Sequence, residues 1–90
     1  MWLLAMSATK IIYEIVDVKT YDGYKPSERP TGFAYEGVEH HVVEILDRWY
    51  EASRIAGRPT YDYFKVRSDK GGVYILRHNR MHDVWSVLIG

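Results

Sequence analysis

The sequence predicts an all-β domain, with one segment whose periodicity also fits a helix. Three observations point there. Short runs rich in β-branched and aromatic residues recur along the chain, separated by Gly, Pro and Asp turn signals. The last third reads as three consecutive antiparallel strands, "TYDYFKVRS", "VYILRH" and "VWSVLIG", joined by the turns "DKGG" and "NRMHD". Ninety residues, 47 % hydrophobic and 27 % charged, are enough for one folded core and too few for two.

The chain opens with "MWLLAMSA", which has no basic region ahead of its apolar run and is far shorter than the roughly 20 residues of a membrane span. Residues 1–9 read as a loosely ordered leader, and 10–90 as a single β domain. "MSATKIIYEI" runs from Met6 straight into the first strand, so residues 1–5 are expected to be dispensable. The competing reading makes Trp2, Leu3 and Leu4 a cap on the core or a dimer contact.

"KIIYEIVDVKTY", Lys10 to Tyr21, is expected to form one long strand. In "DGYKPSERPTG" Gly23, Pro26, Pro30 and Gly32 break regular structure, so this stretch is expected to wrap the body as an ordered loop. Glu36-Gly37 then separates two apolar runs as a hairpin turn.

"VEHHVVEILDRWYEASRIAG" reads two ways. Val38, Val42, Ile45, Trp49, Ala52 and Ala56 recur at helical spacing, Glu44 and Arg48 make an i,i+4 pair, and Gly57 and Pro59 would stop a helix. Against this, Val42, Val43, Ile45 and Trp49 are β-branched or aromatic, and a strand crossing between sheet layers shows apolar residues on both faces. In the C-terminal meander, alternation turns Phe64, Val66, Tyr74, Leu76, Trp85, Val87 and Ile89 toward the core. The opposite face then carries Tyr61, Tyr63, Lys65, Arg67 and Arg77.

Taken together, "YDGYKPSERPTGFAYEG", "EILDRWYE" and "YFKVRSDKGGVYILRHNRMHDVWSVL" resemble a family of small, uncharacterised prokaryotic cytoplasmic proteins with GYK..ERP, DRWY, YFKVR and YILRH segments. The resemblance runs from Lys10 to Leu88. It implies a small all-β barrel of SH3-like character, and it turns "HHVVEILDRWY" from helix toward a long, bent strand. The expected architecture is then a small SH3-like barrel or strongly bent antiparallel sheet of five to six strands, built on Trp49, Phe64, Val66, Leu76, Trp85 and Val87. "EASRIAGRPT" is longer than the family's link, which leaves room for either a short helical turn near residues 51–57 or an extended loop. The family brings no activity and hence no catalytic residue; it draws attention to Asp47, Arg48, Trp49, Tyr63, Phe64, Lys65, Arg77, His78, Asp83 and Trp85.

Function is less legible than fold. Twelve basic residues balance twelve acidic ones, which removes any overall drive toward nucleic acid or an anionic membrane. The chain is uneven, however, with four basic against seven acidic residues up to position 45 and eight against five beyond it. Cysteine is absent, which excludes disulfides and thiolate chemistry and fits a reducing, cytoplasmic setting. None of the five serines sits in a G-x-S-x-G context, and "SDKGG" lacks the spacing of a phosphate loop.

His78 and His82 have an H-x-x-x-H spacing, but across a hairpin turn rather than on a helix face, so they are unspecific metal candidates and are expected to decorate the turn. Asp47, Arg48 and Asp83 are candidates for structural ion pairs, Asp47 with Arg67 or Arg77 beside a buried Trp49. Tyr61, Tyr63, Lys65, Arg67 and Arg77 form the candidate binding face. Such a stripe can stack bases at about 1–3 kcal/mol each, but charge balance places a protein partner or self-association ahead of single-stranded nucleic acid. The expectation is a non-catalytic interaction module with no cofactor and no membrane attachment.

Overall fold

A computed structural model describes residues 12–20, 29–52 and 54–89. The expectations for the leader, and those for Lys10, Tyr21 and most of the wrapping loop, lie outside these residues. The chain forms seven strands: β1 (Tyr13–Ile15), β2 (Asp17–Thr20), β3 (Pro30–Tyr35), β4 (Val38–Glu51), β5 (Tyr61–Ser68), β6 (Val73–Asn79) and β7 (Val84–Leu88). All pair antiparallel in one sheet of order β1-β7-β6-β5-β4-β3-β2. Among the described residues there is no helix, hence none long and apolar enough to cross a membrane.

The two outermost strands of that order are neighbours in the chain, separated only by Val16. The expected single first strand is therefore broken. Its first half pairs with β7 and its second half with β3, and at the break Val16 N–H donates to Trp85 O at 3.0 Å. A straight strand cannot serve two partners lying on different sides of a curled sheet. The kink at Val16 changes its direction, and the sheet curls into a half-barrel with both nominal edges on one short segment.

Glu36 and Gly37, both at positive φ (53° and 76°), make the tight turn between β3 and β4, with the twist that suits a two-residue hairpin. β4 is the long bent strand, not a helix. Its pairing with β5 slips twice, between Val42 and Glu44 and between Ile45 and Asp47, leaving Val43 and Leu46 as extra residues. These bulges put Val42, Ile45 and Arg48 opposite the buried Ser68, Val66 and Phe64. Inward residues therefore recur every third position, and the helix-like spacing is that of a twice-bulged strand.

Phe33, Phe64, Val66, Leu76, Trp85 and Val87 form the core, with Val16, Val18, Tyr35, Val42, Ile45 and Tyr74 packed around it. Two expected core residues fall outside it. Ile89 lies past the end of β7 and is exposed, and Trp49 is 40 % exposed because the second bulge turns it to the outer face. Of the two readings for the link near 51–57, the described residues show no helical turn. β4 continues to Glu51, and the described residues after it make a turn with Arg58 N–H bonded to Ile55 O (3.3 Å) and Gly57 at φ 85°.

Candidate interaction face

The outer face of β4, β5 and β6 is ordered by register. Trp49 lies opposite Tyr63, which lies opposite Arg77; Asp47 faces Lys65 and then Ile75; Glu44 faces Arg67 and then Val73; Glu51 faces Tyr61. β1 brings Tyr13 to the same face, beyond Leu88 of β7.

The Trp49 indole lies flat on the Tyr63 ring, with centroids 5.2 Å apart and planes 3° from parallel. That stacking buries Tyr63, whose hydroxyl donates to Glu51 Oε1 at 2.8 Å. The Arg77 guanidinium sits 3.7 Å from the Tyr13 ring centroid and 4.2 Å from that of Tyr61, a cation held by two aromatic rings. Alongside these rings is an open depression of about 660 Å³, lined by Tyr13, Trp49, Tyr50, Glu51, Ala52, Tyr63, Ile75 and Leu88.

The expected stripe is thus divided. Lys65 and Arg67 are exposed, Tyr61 and Arg77 are half-buried, and Tyr63 is covered by Trp49 instead of being offered to a ligand. The pairing expected of Asp47 with Arg67 or Arg77 is replaced by other partners. Arg67 Nε meets Glu44 Oε1 at 3.2 Å. Asp47 stands opposite Lys65 and accepts from the backbone N–H of Arg48 at 2.8 Å, and Arg77 is engaged by Tyr13 and Tyr61. Arg48 projects inward over the Phe64 ring, 4.8 Å from its centroid. Trp49 is beside these groups as an exposed indole, not a buried one, because each bulge changes which face the following residues present.

Burial first, and then the hydrogen bond to Glu51, pushes the Tyr63 phenol up to about 12. A phenol raised above its unfolded value of about 10 contributes stability that is complete below that pH and is lost as pH rises through the folded value. Tyr35 is also raised, by desolvation first, and we expect an ultraviolet titration to show Tyr63 among the late-ionising tyrosines. Tyr63→Phe should delete its step, and Trp49→Ala should bring it to lower pH by uncovering the ring. A late portion of the titration whose amplitude is unchanged by Tyr63→Phe would contradict this assignment.

Polar groups also gather at the two ends of the half-barrel. At one, His78 is fully buried on the inner face, stacked on Trp85 with centroids 4.5 Å apart, and its Nε2 lies 2.8 Å from Asp83 Oδ1. His78 therefore does not decorate the turn, while His82 is exposed there. Asp62, directly across from His78, is buried with Oδ2 3.6 Å from Arg80 Nε. At the other end His40 stacks on Phe33 (4.7 Å), and its Nδ1 lies 2.7 Å from the buried Ser68 hydroxyl. Asp69 accepts from His41 N–H at 3.0 Å, a bond that holds its carboxyl below the usual carboxylate range. Among the described residues no three His, Asp or Glu side chains are grouped to hold a metal ion.

Comparison with family models, curated proteins and solved structures finds no match to this chain. Sequence reasoning found Tyr61, Lys65, Arg67 and Arg77 but not the depression, because Tyr13, Ile75 and Leu88 come from separate strands whose adjacency depends on closure. The adjacent Trp49-Tyr50-Glu51 was a local signal, since an exposed strand end with two consecutive aromatics must turn one of them outward.

Proposed function

We propose that this chain is a cytoplasmic, non-catalytic protein-interaction module that engages its partner through the outer face around Trp49. The observation that carries the reading is the indole itself, exposed yet held flat on Tyr63. Tryptophan, tyrosine and arginine are the side chains that dominate protein interfaces. Here they are fixed on strands by mutual stacking, so little side-chain freedom remains to be lost on binding. The exposed cations favour a protein over a nucleic acid as partner. Arg67 is paired with Glu44 and Lys65 faces Asp47, so the face offers no unbalanced run of positive charge to a phosphate backbone.

Photo-crosslinking in the native cells tests this. A photoreactive residue in place of Tyr50, exposed at the rim of the depression, should give protein adducts, and one in place of Lys70, in the turn after β5, should not. Adding Trp49→Ala should reduce the adduct at position 50 by roughly 30-fold, the loss of about 2 kcal/mol typical of an interface hot spot. No adduct at position 50, or one that nuclease digestion removes, would overturn the proposal; the second result would make the partner a nucleic acid.

A further inference from the structure

The depression beside Trp49 has a chemistry of its own. Ile75 and Leu88 supply aliphatic surface, Tyr13 and Trp49 supply aromatic rings, with Tyr63 beneath the indole, and Glu51 adds a carboxylate. The Tyr63 hydroxyl donates one hydrogen bond to that carboxylate, and a carboxylate can accept several more. Aromatic rings with a carboxylate beside them attract one type of group, a cation carried on an apolar stem. The ring quadrupole and the carboxylate both favour positive charge, while the aliphatic surface takes up methylenes.

The same face already shows this chemistry within the chain. Arg77 places its guanidinium between Tyr13 and Tyr61 instead of extending it into water. An anion would meet Glu51 and electron-rich ring faces. An uncharged apolar side chain would leave the carboxylate partly desolvated with nothing to offset the cost.

The geometry points to a receptor site for a basic side chain, lysine or arginine, presented by the protein partner, with Trp49 and Glu51 as its recognition residues. This rests on the interaction reading above and adds the chemistry of what is recognised. The stem lies along Ile75 and Leu88, and the charged head meets the open face of the Trp49 indole and the free lone pairs of Glu51.

Three small probes test it, acetyl-lysine methylamide, acetyl-arginine methylamide and acetyl-norleucine methylamide, added to the full chain at matched ionic strength while the Trp49 indole N–H signal is followed by NMR. Trp49→Phe assigns that signal. The lysine or the arginine probe should bind about two- to fivefold more tightly than norleucine, the scale of one exposed cation–π contact. Glu51→Gln, which keeps the shape, should remove most of that preference without changing norleucine binding, and in Trp49→Ala, followed instead through the Ile75 and Leu88 methyl signals, the response to all three should be lost.

If norleucine binds as well as the cations, or if the preference survives Glu51→Gln, the inference is overturned. That failure is separate from failure of the interaction reading, because a protein adduct at position 50 together with no cation preference would leave the module standing and remove only its proposed ligand.

Discussion

Trp85→Ala should lower the unfolding free energy by about 3–5 kcal/mol, the cost of truncating a large buried aromatic. The indole is 7 % exposed and packs against both Phe64, at 5.7 Å between centroids, and the fully buried His78. It also sits where the sheet closes, since its carbonyl accepts the Val16 N–H that fastens the kink between β1 and β2. Domains of this kind have about 5–15 kcal/mol in total, so the variant is expected to be near the edge of folding at ambient temperature. Equilibrium urea unfolding measures the effect, and an unchanged dependence on denaturant would show that the midpoint shift is one of stability. A loss below about 1 kcal/mol would place the indole outside the core.

His78→Ala should cost about 2–4 kcal/mol, whereas His78→Leu should cost less than about 1 kcal/mol. The pair separates two roles of the imidazole. Its side chain is fully buried, stacked on Trp85 and walled by the strands on either side, so removing its volume leaves a cavity. The bond to Asp83 contributes less, because that carboxylate is 71 % exposed and returns to water when its partner is lost. Leucine refills most of the volume without the polar atoms. The check is the same urea series, and a leucine variant as unstable as the alanine variant would show that the polar contacts hold this end of the half-barrel together.

These core positions could be read from alternation. In β5, β6 and β7 the pattern is uninterrupted, so Phe64, Val66, Leu76, Trp85 and Val87 fall on one face as period-2 counting requires. His78 lies on that same face by the same count, yet as a histidine beside a turn it reads as solvated, and its burial follows from Trp85 stacking across from it. In β4 counting fails. The bulges at Val43 and Leu46 shift the phase twice, so Trp49 is placed inward by spacing and outward by the fold. A bulge has no obligatory residue type, which is why "VEHHVVEILDRWYE" carries no mark of it.

The local grammar of this chain specifies its strands and turns: β-branched and aromatic runs, the Glu36-Gly37 hairpin, and the alternating core of the C-terminal meander. Such features depend on residues close in sequence, and their physics acts over two to five positions. Where the first strand breaks, which way Trp49 faces, and the meeting of Tyr13 from β1 with Arg77 from β6 all depend on contacts between distant parts of the chain. Those contacts arise when the sheet curls and its first segment must satisfy two partners at once. Most of the core and the Tyr61, Lys65 and Arg67 stripe were therefore legible beforehand, whereas the depression beside Trp49 took shape only with closure, because Tyr13, Ile75 and Leu88 come from separate strands that become neighbours through the curvature of the sheet.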